Sequence, residues 1–378
     1  MMRFRMKPAI GVTTFAAMLV AALPAPARAQ SAVPQPCVDG TLHSGALSRI
    51  CVPLGWNGQL VVFAPGYVAP ELPIGFHYLA LPDGSSLPTV IQSQDFAFAT
   101  TSYRQNGLAI LEGAADIREL VTHFDRHYSV PLRRFIAGVS EGGLVAALLA
   151  ERSPELFFGG LATCGPIGDF RAQINYFGNF RVLFDYFFPG VIPGSPIDIP
   201  ITVRAHWDAL FVPAITAALA ANPARAIELL KVAHAAYDPA NPATVVKTAL
   251  DALWYNAFAT NDAARKLGGN PFGNRLTWYF GSRNDLRLNE RVQRFGAAAA
   301  AVSALRAYQT SGDLSIPLVT LHTTGDDVIP SWQELLYSLK FEASFRGRFI
   351  PLPVQRYGHC NFTTNEVLGA FLLTVTQP

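Results

Sequence analysis

Charge is scarce in this chain. Asp, Glu, Lys and Arg make up 15% of its 378 residues, and the formal net charge is +2. No basic block occurs and no basic stripe runs beside stacking aromatics, so no nucleic-acid partner is expected. Cysteine is scarce too, at four residues, and no two stand two apart as a zinc ribbon needs. His123 and His127 have the spacing of a helical zinc pair, but Phe124 stands where the metalloprotease pattern requires Glu. No metal is expected, and no cofactor. Past the first segment no apolar run approaches the roughly 20 residues of a membrane span. There is no internal repeat, and the only biased tract is Ala297 to Ala301.

The first segment has its own pattern. Arg3, Arg5 and Lys7 precede an apolar run from Ala9 to Leu23, and Ala27-Arg28-Ala29 sets small residues at the minus-three and minus-one positions of a cleavage point. This is the arrangement of an export signal. It predicts a signal peptide over 1–29 and a secreted or periplasmic product. Pro24 and Pro26 interrupt the run, which argues against a stable membrane anchor, and no Cys follows Ala29 directly to carry a lipid. Export would place the cysteines in an oxidising compartment, where four allow three pairings. Cys37 and Cys51 flank Asp39-Gly40, a hairpin turn signal, so a local disulfide is expected there.

What is abundant is short apolar runs. Leu60 to Ala64, Phe96 to Thr101, Arg134 to Ala137, Phe158 to Cys164, Pro317 to Leu321 and Phe349 to Val354 read as strands. Helical patterns lie between them: Ile117, Leu120, Val121 and Phe124 share one face of a helix from about Leu111 to His127. Another helix starts at Glu141, and a last one runs from about Asn365 to Leu373. Strands alternating with helices predict an α/β fold with a mostly parallel sheet. The alternation fails between about Pro166 and Ser315, where helical patterns and Pro-Gly clusters dominate. The expected division is therefore a core over 30–165 and 316–378, with a helical lid insertion over 166–315.

Gly138-Val139-Ser140-Glu141-Gly142 joins a buried strand directly to a helix. A turn that tight needs glycines beside the serine and holds its hydroxyl out at the sheet edge, at a helix N-terminus. A hydroxyl is a poor nucleophile until a base takes its proton. Of eight histidines, His359 follows the last strand and suits that role, whereas His322 lies in a buried strand and reads as structural. The base needs an acid, and Gly325-Asp326-Asp327 follows the preceding strand; Asp326 is favoured, with Asp169 an outside alternative. Glu141 reads first as a carboxylate suited to a helix N-terminus.

On these residues the chain resembles the α/β-hydrolases, over most of its length outside the insertion. The resemblance implies a triad in the order Ser140, Asp326, His359, and Thr323 to Pro330 is similar to the family's acid-bearing stretch. It also implies an oxyanion hole from the backbone N–H groups of Glu141 and Tyr67, with Pro65-Gly66-Tyr67 in place of the usual His-Gly sequence. His359-Cys360 is similar to the tannase and feruloyl esterase group, where a cysteine directly before the serine bonds to the one after the histidine. Here Val139 holds that place. Within the implied fold Cys164 ends the strand beside the nucleophile strand, so a Cys164–Cys360 disulfide bracing the histidine loop is expected.

The insertion opens with eight aromatics in the 19 residues from Phe170 to Phe188. Phe177, Phe180 and Phe184 are expected to line an apolar substrate pocket, although the same residues also suit the insertion's own core, as do Trp207, Trp254 and Trp278. The expected activity is cleavage of a small-molecule or polymeric ester with apolar or aromatic acyl groups. Amide or peptide hydrolysis, or a non-catalytic binding role, are the alternatives.

Overall fold

The computed structural model describes residues 33–344 and 347–377; the expected export segment lies outside them. The described chain forms one eight-stranded sheet: β1 (Val38–Thr41), β2 (Leu47–Cys51), β3 (Gln59–Ala64), β4 (Ala97–Thr101), β5 (Arg133–Val139), β6 (Gly159–Thr163), β7 (Pro317–Gly325) and β8 (Arg348–Tyr357). The spatial order is β1-β2-β4-β3-β5-β6-β7-β8. Only the β1–β2 and β2–β4 pairs are antiparallel. From β4 onward every pair is parallel, so the C-terminal ends of β3, β5, β6, β7 and β8 share one edge.

Both faces are buried, as a parallel sheet requires. Leu60, Val62 and Ile136 point to one face, and Val61, Phe63 and Phe135 to the other. Helices α1 (Leu87–Ser93), α2 (Ile110–His127) and α3 (Glu141–Arg152) connect the early strands. The apolar stripe of α2, with Ile117, Leu120, Val121 and Phe124, packs with α3 on the first face.

The insertion between β6 and β7 carries α4 (Phe170–Phe187), α5 (Ile201–Ala205), α6 (Val212–Ala221), α7 (Pro223–Val232), α8 (Ala243–Lys266), α9 (Asp285–Arg291) and α10 (Ala299–Ala304). Two further helices, α11 (Trp332–Ser344) and α12 (Thr364–Thr376), follow β7 and β8. Among the described residues no single helix is long and apolar enough to cross a membrane.

Three local readings need correction. The Cys37–Cys51 disulfide is formed, but Asp39-Gly40 is not its turn. Both residues lie within β1, opposite Arg49 and Ser48, and the chain reverses between Leu42 and Ala46, around Gly45 at φ 87°. Phe180 and Phe184, expected at a substrate pocket, are fully buried in the insertion's own core with Leu183, Leu229, Leu230 and Leu253. Trp278 is not part of the insertion's core; it is 59% exposed. Phe180→Ala is therefore expected to cost about 3–5 kcal/mol of unfolding free energy by urea denaturation, the range for emptying a buried aromatic site. A loss below about 1 kcal/mol would place this ring outside the core.

Candidate active site

Ser140 stands between β5 and α3 at φ 56°, ψ −119°. The turn is close enough to demand its glycines: a Cβ on Gly138 would lie 1.9 Å from the Gly142 carbonyl oxygen, and one on Gly142 would lie 2.0 Å from the Ala64 carbonyl oxygen. Ser140 N–H donates to the Thr163 carbonyl at 2.9 Å, fixing the turn to the end of β6.

The other two expected residues meet it at the same edge. His359 Nε2 lies 2.9 Å from Ser140 Oγ, and its Nδ1 lies 2.8 Å from Asp326 Oδ2. An ionised carboxylate only accepts, so Nδ1 carries the proton and Nε2 is left to accept from the serine hydroxyl. The sheet register sets this up. Gly325 of β7 pairs with Tyr357 of β8, so Asp326 and His359 leave neighbouring strand ends. Asp326 Oδ1 also accepts from the N–H groups of Val328 and Ile329 at 3.0 and 2.7 Å.

Asp327 does different work. Its Oδ1 accepts from the His359 backbone N–H at 2.9 Å, and its Oδ2 accepts from Tyr357 Oη and Lys247 Nζ, both at 2.9 Å. Burial raises its carboxyl, but the hydrogen bond and charge of Lys247 outweigh that and hold it below the usual range. Asp169, the outside alternative, caps α4 by accepting from Ala172 N–H, and the structure does not bring it to His359. His123 and His127 stack on the surface of α2 with ring centroids 4.1 Å apart.

His322 is buried, as expected, with a partner on each nitrogen. Nδ1 faces Glu334 Oε1 at 3.2 Å and Nε2 faces the Ile329 carbonyl at 2.8 Å. Two acceptors need two protons, so the ring is held as a cation. Burial pushes it down, yet the hydrogen bond to Glu334 and the charge of Asp326, with smaller help from the rest of Glu334 and Ile329, raise it to about 8. Its Nε2 lies 3.5 Å from Asp326 Oδ2, so it supports the charge on that acid.

Tyr67 and Glu141 flank Ser140. Glu141 opens α3, and the first N–H groups of a helix have no partner within it. A Cβ on Gly66 would lie 3.3 Å from Ser140 Cβ, which shows how near the Tyr67 loop approaches. A pocket of about 90 Å³ opens beside Ser140, lined by Tyr67, Phe177, Tyr255, Ile174 and Val328 among others. Of the three expected phenylalanines only Phe177 lines it. Phe177 stacks on Tyr255 at 4.8 Å, and Tyr67 packs on both Tyr255 and Trp254. Sequence reasoning missed Tyr255, which sits inside a long helix with no local sign of its role. It also missed Lys247, 80 residues from the aspartate it pairs with. The Cys164–Cys360 disulfide is formed and ties the end of β6 to the residue after His359.

With this geometry the chain is similar in structure to feruloyl esterase B from Aspergillus oryzae, at a TM-score of 0.54 and 14% identity, over 86% of this chain and 74% of that one. The fold is that of an α/β-hydrolase. Weaker likenesses are to an esterase from Pyrococcus furiosus, at a TM-score of 0.43 and 11% identity over 90% of this chain and 88% of that one. Pyrococcus horikoshii acylaminoacyl peptidase gives a TM-score of 0.46 and 13% identity over 91% of this chain, which spans only 41% of the peptidase. No protein-family model matches the chain, and no curated protein matches it in sequence.

One further side chain beside Ser140 departs from expectation. Glu141 does not point its carboxylate at the N-terminus of its own helix; it is buried, and Oε1 accepts from Ala109 N–H at 2.9 Å. Burial pushes its carboxyl up to about 8, against the hydrogen bond from Ala109 and the charge of Lys266, with Asp262 and Glu112 adding to the rise. An acid raised on folding stabilises fully below its unfolded value near 4.5 and loses that contribution as pH rises through about 8. Between pH 5 and 8 the parent protein is expected to lose on the order of 3 kcal/mol more unfolding free energy than Glu141→Gln. Urea denaturation across that range checks this; parallel pH dependences would mean that Glu141 is charged in the fold.

Proposed function

We propose that the chain is a secreted serine hydrolase that cleaves carboxylic esters through an acyl-enzyme. The observation that carries this reading is the single line of contacts from Asp326 through His359 to Ser140. Ser140 Oγ attacks the ester carbonyl while His359 Nε2 takes its proton, and Asp326 holds the imidazole in the needed tautomer and stabilises its charge. The N–H groups of Tyr67 and Glu141 hold the oxyanion, a type of contribution that commonly matters by about 3–4 kcal/mol per donor. His359 then returns the proton to the leaving alcohol, and water repeats the sequence on the acyl-enzyme. The disulfides formed at Cys37–Cys51 and Cys164–Cys360 suit an oxidising compartment and support secretion. The insertion, whose Phe177 and Tyr255 cover the serine, would act as the lid.

Ester rather than aminoacyl amide is favoured by the pocket's chemistry. Glu141 is the only acidic residue among those lining it, and its carboxyl is turned to Ala109 and held neutral to about 8. No fixed charge therefore waits for a substrate ammonium, and the apolar, aromatic lining suits an apolar or aromatic group. A feruloyl ester, the class named by the Aspergillus oryzae enzyme, belongs to that range.

Ser140→Ala is expected to abolish hydrolysis of p-nitrophenyl acetate and labelling by a fluorophosphonate. Asp326→Asn should lower kcat about ten-thousandfold, the cost of the wrong imidazole tautomer. An unchanged rate in Ser140→Ala would remove the mechanism, and faster turnover of aminoacyl amides than of esters would overturn the substrate class.

A further inference from the structure

A second cavity, of about 420 Å³, lies on the sheet face away from α3. It is lined by Val61, Phe98, Val139 and Leu161 from the strands, Ile91 from α1 and Phe371 from α12. It lies between α1, which has only seven residues, about 10 Å of helix, and α12. Protein interiors leave few voids larger than a water molecule, and this volume falls in the range of small-molecule sites.

The lining specifies the ligand. It contains no Asp, Glu, Lys, Arg or His. Its polar side chains already have partners: Tyr78 Oη donates to the Tyr67 carbonyl at 2.5 Å, Thr163 Oγ1 to Gly138 at 3.0 Å and Asn361 Nδ2 to Tyr357 at 2.8 Å. What remains to recognise is hydrocarbon.

The cavity is also lined by the chain neighbours of two proposed catalytic residues. Val139 directly precedes Ser140, and Cys360 directly follows His359. A Cβ on Gly66 would lie 3.3 Å from Ser140 Cβ and 3.4 Å from Tyr78 Cε2, so the Tyr78 ring and the serine abut one glycine. Asn361 lines both this cavity and the open groove in which His359 lies. We propose that the cavity takes the hydrocarbon chain of a long-chain ester, which passes Tyr78 from the carbonyl at Ser140, while the small pocket under the insertion takes the other group. This rests on the hydrolase reading above and adds chain length to it.

The test compares kcat/KM for p-nitrophenyl acetate and laurate in the parent protein, in Leu368→Trp and in Leu87→Trp. These variants narrow the cavity from α12 and α1, two elements that carry none of the proposed catalytic residues. The parent is expected to gain roughly two- to fourfold per added methylene over part of the series, and either variant to lower the laurate-to-acetate ratio at least tenfold. No gain beyond acetate in the parent, or ratios within twofold of the parent in both variants, would overturn the proposal. Binding of a fluorescent polyene fatty acid to Ser140→Ala tests the cavity without turnover and covers variants that fold poorly. Saturable binding displaced by laurate and not by acetate supports the proposal, and its absence counts against it. Failure of the hydrolase reading looks different: the parent would cleave neither ester and take no fluorophosphonate, whatever the fatty-acid binding.

Discussion

His359 is held by two consecutive carboxylates, and the geometry of the whole site follows from that pairing. Both residues lie past the end of β7, where the chain turns and Asp326 N–H donates to the Thr323 carbonyl. Asp326 reaches the imidazole ring while Asp327 reaches the backbone N–H of the same residue. The ring cannot tilt without losing the first contact, and the loop cannot shift without losing the second. Both acids are almost wholly removed from water, where an unpaired charge would be costly. Each accordingly has a cation beside it, shared with a second carboxylate: His322 lies between Asp326 and Glu334, and Lys247 of α8 between Asp327 and Asp251. Lys247 belongs to the insertion, so the insertion is electrically part of the histidine's support as well as its cover.

Glu141 shows the opposite outcome for the same functional group. It is buried next to Ser140, but the nearby cation Lys266 is directed to Asp262 and to the carbonyls of Asn106 and Leu108. With a single backbone donor to offset its burial, the carboxyl keeps its proton. Three buried acids thus lie near one serine, and the partner each is given decides its charge. Asp326 and Asp327 accept from His359, and Lys247 helps hold Asp327 below the usual carboxylate range, whereas burial raises Glu141 to about 8.

The parts of this arrangement that were legible in the sequence are those fixed by local order. Ser140, Asp326 and His359 each follow a recognisable apolar strand, and a parallel sheet brings such positions to one edge whatever the sequence distance between them. The hairpin turn failed because Asp-Gly was read without register. Once Asp39 pairs with Arg49 the reversal must fall at Leu42 to Ala46, and Gly45 supplies the positive φ there. The aromatic run of α4 failed for another reason. Tyr176, Phe180, Phe184 and Phe187 fall on one helical stripe and fill the insertion's core, whereas Phe177, one position off that stripe, faces the serine. Composition could not tell which stripe faces inward. Lys247 and Asp327 meet only through packing of α8 over the sheet, so no spacing or motif announces the pair.

That the insertion has its own core has a consequence for how the pocket is built. Its interior cluster, around Phe180, Leu229 and Leu253, is distinct from the clusters on the two faces of the sheet. The small pocket lies where these bodies meet, and its wall is shared: Tyr67 and Val328 come from core loops, Phe177 and Tyr255 from insertion helices. The stacking of Tyr255 on Phe177 and its contact with Tyr67 join the two sides through ring faces and edges, which tolerate small displacements better than directional hydrogen bonds do. Rigid positioning is thus confined to the sheet edge, where carboxylates and a disulfide fix the histidine. The wall facing a substrate is made of aromatic surfaces whose packing, rather than any fixed charge, sets the shape the site can accept.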